Sequence, residues 1–279
     1  MKRSDLASLK DRLTNRDCEL LIDVEKYRLL TTKQLQRLHF DQVHPTPAAS
    51  ARACSRTLFR LRDLRVLRAL TRRIGGARSG SAGFVWYVGP AGERVLKSMD
   101  PPITSGRHNH REPSRHFVEH TLAISELAAQ TIEAERRGSL EILVLQTEPI
   151  SWQKSLSKFG TAQILKPDLR LITVLGEFEY HLFIEADMAS EHLPVVLRQC
   201  AAYQAFRETG RYQAIHGLFP VVLWVCPTPA RAETIRAAVA ATAGLDPALF
   251  NTCTTSEYLA VVAGRATGGH DLPFQGRSP

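Results

Sequence analysis

Apolar positions recur at helical spacing three times in the first hundred residues. In NRDCELLIDVEKY (15–27) they are Leu20, Leu21, Val24 and Tyr27, which share one side of a helix. Thr31 or Thr32 stands where an N-cap belongs, opening a short helix through TTKQLQRLHF with Leu35 and Leu38 inward. PTPAAS reads as a breaker, and SARACSRTLFRLRDL (50–64) predicts a third helix with Ala53, Leu58, Leu61 and Leu64 as its buried stripe. The period then changes. VLRALTRR predicts a strand, IGGARSGSAG a Gly/Ser turn and FVWYVG the returning strand. PAGERVLKSM predicts a closing helix with Pro90 in its first turn. Three helices followed by a two-stranded hairpin is the order of a winged helix-turn-helix.

DPPITSGRHNHREPSR (100–115) is rich in Pro, Gly and polar residues and reads as a linker. Beyond it, a long helix is predicted over 114–137, with Phe117, His120 or Thr121, Ile124, Leu127 and Ile132 as its apolar stripe. LEILVLQTEP is a strand. KPDLRLITVLGEFEYHLFIEAD (166–187) predicts two alternating strands joined at Gly176-Glu177. A helix over HLPVVLRQCAAYQAFRETG follows, then FPVVLWVC, apolar enough for a central place in a sheet, and a helix over ARAETIRAAVAATAG. The expected organisation is a winged helix-turn-helix domain over 1–100, a linker over 101–113, a nuclease-like α/β domain over 114–265 and a Gly/Pro-rich tail over 266–279. The fold class is α/β, α+β overall.

Composition narrows the setting. The apolar fraction is 44%, that of a chain with a real core. No apolar run reaches the ~18 residues of a membrane span, and MKRSDLASLKDRLTNRDCELL is too polar for a signal peptide. The five cysteines, Cys18, Cys54, Cys200, Cys226 and Cys253, are scattered and never spaced as Cys-x-x-Cys. That argues against a zinc site or a disulfide framework and for a reducing cytoplasm. His108, His110, His116 and His120 crowd together without a zinc-ligand spacing. His116 and His120, four apart on a predicted helix, are expected to pack or to hydrogen-bond.

Charge is what separates the two halves. Residues 1–113 hold 22 lysines and arginines against 11 acids, a net of +11, while the remainder carries a net of −3. The basic excess belongs wholly to the first part and points to a polyanion partner, double-stranded DNA. Arg52, Arg56 and Arg60 recur every four residues and so share one face of the third helix, opposite its leucines. Such a helix supplies donors for phosphates and for the N7/O6 edge of guanine. Arg73 and Arg78, on and beside the hairpin turn, are placed to reach backbone or minor groove.

In the second half Asp168, Glu185 and Asp187 fall near the ends of neighbouring strands. An acid after proline on one strand and Glu-x-Lys on the next is the PD-(D/E)xK nuclease pattern. Its two carboxylates hold Mg²⁺ or Mn²⁺, the metal activates water, and the lysine steadies the hydroxide. Asp168 and Glu185 fit as metal ligands; Asp187 stands where the lysine belongs. Three acids together repel, so a metal, a cation or raised pKa values must neutralise them. Arg198 on the following helix is a candidate, as a phosphate clamp or as an ion pair closing the site on Asp187 or Glu185. Lys154, Lys158 and Lys166 lie near the same strands in sequence.

These motifs together resemble the replication-relaxation family of bacterial mobile elements. The matching parts are the Leu/Arg-rich third helix and wing (52–88), YVGPAGERVL, His-Thr-Leu-Ala at 120–123, KPDLRL at 166–171 and FIEAD…LRQCAAY at 183–203, over about residues 16–230. The resemblance implies a winged helix before a nuclease-like domain. It also implies DNA binding linked to plasmid replication, mobilisation or their control. The family pattern carries a lysine in the helix after the Glu-x-Asp strand; here that helix has Arg198 beside Gln199. The expectation is a duplex-DNA-binding protein whose degenerate nuclease-like domain makes homodimer or partner contacts, for instance with a relaxase or replication initiator. The alternative is a metal-dependent endonuclease or nickase using Asp168 and Glu185.

Overall fold

Threonines set the helix starts of the N-terminal part. In the computed structural model, which describes residues 3–70, 83–103, 113–156 and 160–264, a first helix, α1 (Arg3–Asp11), precedes α2 (Asn15–Tyr27). Thr14 caps α2 by accepting the Asp17 N–H at 3.2 Å, while the Asp17 carboxylate accepts the Thr14 N–H at 2.8 Å, a reciprocal capping box. After the short β1 (Leu30–Thr31), Thr31 and Gln34 repeat the device at the start of α3 (Thr32–His39). Thr46 caps α4 (Pro47–Asp63). The segment expected to break the chain is thus the helix's first turn, because proline at the first helical position lacks only an N–H that has no partner there anyway.

The buried stripe of α4 is Ser50, Cys54, Leu58 and Leu61. Ala53 and Leu64 are only half-buried, so the seam is turned slightly from the expected one. The strands β2 (Leu67–Ala69) and β3 (Val85–Val88) pair antiparallel, and β1 joins the other side of β3, giving the order β1-β3-β2. Residues 71–82, with Arg73 and Arg78, lie outside the described residues. Leu20, Leu21, Leu30, Leu35, Leu58, Leu61, Leu67 and Trp86 fill the core, each at most 1% exposed. The helix α5 (Pro90–Lys97) closes it. Its Gly92 sits so close to β2 that a Cβ would lie 2.3 Å from the Val66 carbonyl oxygen and 2.9 Å from Leu21 Cδ1.

The long helix α6 (Arg115–Arg136) crosses the division between two units, residues 1–129 and 130–279. Its first half belongs with the elements above. Glu126 pairs with Arg37 at 2.7 Å and accepts from Gln34 at 3.1 Å, Ser125 donates to the Leu29 carbonyl at 2.9 Å, and Val118 packs with Leu29, Leu70 and Val85. His116 and His120 stack one turn apart, ring centroids 6.3 Å apart. His108 and His110 are outside the described residues.

The second unit is built on a five-stranded mixed sheet. Its elements are β4 (Glu141–Thr147), a separate hairpin of β5 (Gln153–Leu156) and β6 (Ala162–Leu165), β7 (Leu169–Leu175), β8 (Phe178–Ala186), α7 (Leu193–Glu208), α8 (Arg211–His216), β9 (Val221–Cys226), α9 (Pro229–Ala241), β10 (Phe250–Thr254) and α10 (Tyr258–Val262). The order is β10-β9-β8-β7-β4, antiparallel from β4 to β8 and parallel from β8 to β10. The parallel β8–β9 step takes α7 as its crossover, as such a step requires. Strand β9 is an inner strand, flanked by β10 and β8, in keeping with its apolar run, while β8 is the middle one. Strand β10, the hairpin, α8 and α10 are additions to the expected order. Phe183, Val222 and Trp224 from the sheet pack against Val196, Cys200, Tyr203 and Phe206 of α7, Tyr212 of α8, and Ile235 and Val239 of α9. On α6, Thr131 shares a buried hydrogen bond with Tyr258 at 2.8 Å. All five cysteines are free. Among the described residues no helix is long and apolar enough to cross a membrane.

Replacing Gly92 by alanine is expected to destabilise the first unit by about 2 kcal/mol, because the new methyl meets backbone that cannot move aside cheaply. Chemical denaturation followed by tryptophan fluorescence checks this, with Gly83→Ala as the comparison for a glycine of the same unit whose added Cβ meets open space.

Candidate functional site

Sheet register brings the acids together. Leu169 pairs with Thr147 on one side and with Ile184 on the other. Asp168 immediately precedes β7 and Glu148 immediately follows β4, so both come near Glu185 of β8, on which the charges of both act. Glu185 lies on the face covered by α7. Asp168 and Glu185 are 7% and 3% exposed. One Asp168 oxygen accepts the Ala186 N–H at 2.8 Å, and Tyr203 on α7 donates to Glu185 Oε1. Burial, then the negative charge of Asp168 and the charge of Glu148, push the Glu185 carboxyl well above the usual range, against the Tyr203 hydrogen bond. Glu185 therefore holds its proton more tightly than an exposed glutamate does, and a hydrogen bond with Asp168 adds to that.

Asp187, also buried, turns to a different partner. Arg231 grips it with two hydrogen bonds, Nε to Oδ2 at 2.8 Å and Nη2 to Oδ1 at 3.0 Å, and donates further to the Glu191 carbonyl at 2.9 Å. Arg231 stands in the first turn of α9, where the unpaired N–H groups of the helix also favour a carboxylate nearby. The guanidinium at Asp187 is thus Arg231 of α9 and not Arg198, whose side chain is exposed on α7. Lys154 is exposed. Lys166 lies over the Trp152 ring, 4.6 Å from its centroid, and Lys158 is outside the described residues.

A Mg²⁺ or Mn²⁺ ion asks for about six oxygen ligands, several of them water, in open coordination. Here one oxygen of Asp168 is spent on a backbone N–H and one of Glu185 on a tyrosine, under a helix. Asp187 is held by an arginine. Among the described residues no group of three or more His, Cys, Asp or Glu side chains is arranged to hold a metal. The residues as arranged do not fit the ion.

The arginine face of the first unit is organised differently. Arg52, Arg56 and Arg60 all stand exposed on one side of α4. Arg60, however, reaches back to α2, where its Nη2 lies 2.5 and 2.6 Å from the two oxygens of the buried Asp17 and its Nη1 meets the Arg12 carbonyl at 3.4 Å. Burial pushes the Asp17 carboxyl up, but the bonds from Arg60 and Thr14 outweigh it and hold the group below its ordinary value. Arg62 lies over the Phe59 ring at 4.7 Å. Beside them an open depression of about 700 Å³ is lined by Arg12, Ser55, Arg56, Phe59, Arg60 and Asp63. Arg56 is thus part of the depression's wall, and Arg52, one turn earlier, is exposed outside it.

Sequence patterns missed Glu148, Tyr203, Arg231 and Asp17. Glu148 ends an alternating run in the same way as Glu185, so matching strand ends would have found it. Tyr203, Arg231 and the Asp17–Arg60 pair depend on helices packing from elsewhere in the chain. The family model described as replication-relaxation matches residues 21–222. Neither the curated proteins nor the solved structures contain a significant match.

Two outcomes follow from the buried acids. Arg231→Ala, which leaves Asp187 buried without its cation, is expected to cost about 3 kcal/mol of stability, against less than about 0.5 kcal/mol for the exposed Arg198→Ala; urea denaturation of both variants checks this. The folded chain binds the Glu185 proton more tightly than the unfolded chain. Its contribution is therefore full below the ordinary glutamate range and is lost as pH rises toward the folded value, with a slope of at most about 1.4 kcal/mol per pH unit. Glu185→Gln should flatten the fall in stability measured between pH 5 and 8.

Proposed function

The chain belongs to the replication-relaxation family, and from that premise we propose that it is a duplex-DNA-binding protein of a plasmid or other mobile element. Membership suggests a role in replication or mobilisation of such elements. In this reading residues up to about 100 form a winged helix, and α4 is the helix that enters the major groove. The exposed arginine face of α4, in the part of the chain that holds the whole basic excess, carries the proposal. The element order α2-β1-α3-α4-β2-β3 supports it, with the residues between β2 and β3 as the wing. Arg52 and Arg56 read or clamp DNA, Arg73 and Arg78 contact backbone, and Arg60, held by Asp17, fixes how α4 stands on α2.

The second unit is, in the same reading, a nuclease-like domain that does not cut and that makes homodimer or partner contacts, with a relaxase or a replication initiator as the class of partner. The buried Glu185, bonded by Tyr203 with its carboxyl pushed up by burial, and the Asp187–Arg231 clasp support that part.

Electrophoretic mobility shift at two salt concentrations tests the first part. Binding is expected to weaken steeply as salt rises, and Arg56→Ala to cost about 1–3 kcal/mol on a bound site if it contacts a base. A wild-type chain that shifts no duplex even at low salt sinks the proposal. Supercoiled DNA incubated with Mn²⁺ is expected to stay intact; nicking that disappears in Asp168→Ala would return the second unit to the nucleases.

A further inference from the structure

Arg12, in the turn that follows α1, and Ser55 and Arg56 of α4 line the same open depression of about 700 Å³ in the first unit. None of these three side chains has a hydrogen-bond or ion-pair partner among the described residues. Two elements distant in the chain thus present two guanidinium groups and a hydroxyl to one space. Arg60 fixes that arrangement. Its guanidinium is spent on the Asp17 carboxylate and on the Arg12 carbonyl, 3.4 Å from Nη1, and so ties the turn after α1 to α4. The Arg12 N–H donates to the Leu9 carbonyl at 3.1 Å. Arg12 is therefore held by its main chain, and its guanidinium is left for a ligand. Two like charges on one wall repel. The ligand that planar forks of charged donors take best is an oxyanion, by paired parallel bonds.

The acids nearby are engaged elsewhere. Asp17 belongs to Arg60. Asp63 is on the same wall but about two turns of α4 beyond Ser55, where it accepts from Arg62 Nη2 at 3.3 Å. A second depression of about 580 Å³ shares Arg12 and Asp63 with the first, and there Arg12 and Arg65 meet two acids, Asp5 and Asp63. Its charges balance. The first has Arg12, Arg56 and Arg60 against Asp63 alone, so an anion is favoured in the first, at its Ser55–Arg56 end.

We infer that Arg12, Ser55 and Arg56 form a clamp for one phosphate of the DNA backbone. The inference rests on the reading of α4 as the helix that enters the major groove. It deepens that reading by dividing the arginines of α4 by task and by adding the turn after α1 to the interface. A helix in the major groove has a phosphate backbone along each of its sides. A basic depression between that helix and a neighbouring element is where such a phosphate comes to rest. In helix-turn-helix domains the N-terminal part of the helix meets base edges. Arg52, one turn before Arg56 and outside the depression, is then the reader, and Arg56 belongs to the clamp. The clamp fixes register and orientation on the duplex and carries no sequence information itself.

The test compares the full-length wild type with Arg12→Ala and Arg94→Ala by fluorescence anisotropy on two duplexes, one selected by the wild type from a random pool and one with the same bases scrambled. Arg12→Ala leaves Arg60 its carbonyl acceptor, so the fold is kept. Arg94, exposed on α5 and outside the depression, removes the same charge elsewhere in the unit. Arg12→Ala is expected to weaken binding about fivefold to tenfold on both duplexes alike and to lower the slope of log K against log salt by about one. Arg94→Ala should change neither. Arg56→Ala should show the same uniform loss, and the double variant should lose less than the product of the two, because both side chains hold one phosphate. Arg52→Ala, by contrast, should weaken the selected duplex more than the scrambled one. An Arg12→Ala chain that behaves like Arg94→Ala, or that loses affinity on the selected duplex alone, overturns the clamp and leaves DNA binding by α4 standing. A wild type that selects no duplex and binds none at low salt removes that reading, and the clamp with it.

Discussion

Strand register is the constraint on which the second unit depends. Leu169 opposite Ile184 and Ile184 beside Leu223 put Asp168, Arg170, His181, Phe183, Glu185 and Trp224 on one face of the sheet. A slip of one residue would send every one of them to the other face. The apolar members hold the register, because Phe183 and Trp224 must be buried against α7 and α9. The polar members are carried to the same face by their even spacing. A sheet face that mixes a hydrophobic core with ionisable groups has to accommodate them locally. Glu185 does so by holding its proton more tightly and Arg170 by hydrogen bonds to Gln146, Tyr212 and His216, while just past the end of β8 Asp187 is paired by a guanidinium.

The first unit solves a positioning problem instead. Its helices are short, and their entry points are fixed by Thr14, Thr31 and Thr46. Asp17 serves twice, closing the α2 cap and receiving Arg60 from α4. One buried carboxylate therefore sets both where α2 begins and how α4 lies upon it. The arginines of α4 are not equivalent in consequence: one is an internal brace, and its neighbours face solvent.

Much of this was legible in the chain. The helices over 15–27 and 114–137, the apolar β9 and the acid-ended pair β7–β8 follow from periodicity, because each buries one long apolar face. What was not legible has physical reasons too. Strand β10 reads FNTCT, too short and polar to announce itself, and exists because β9 offers it a parallel partner. Helix α4 starts three residues early because proline, a breaker inside a helix, suits its first position. Arg231 was invisible as the partner of Asp187 because 44 residues and a strand separate them; only the packing of α9 beside the end of β8 joins them. The choice of Arg198 followed sequence nearness, which is a poor guide when a crossover helix turns half its residues to solvent.

Strand β4 carries a last consequence. It ends the sheet, and its ladder with β7 shifts register between Ile142 and Val144, leaving Leu143 to stand 46% exposed at the irregularity. A terminal strand is a template on which another chain can grow, but only while its free amides and carbonyls keep a regular repeat. The bulge interrupts that repeat in the middle of a seven-residue strand. The sheet is thereby less open to growth by another chain along this edge than a straight strand would leave it.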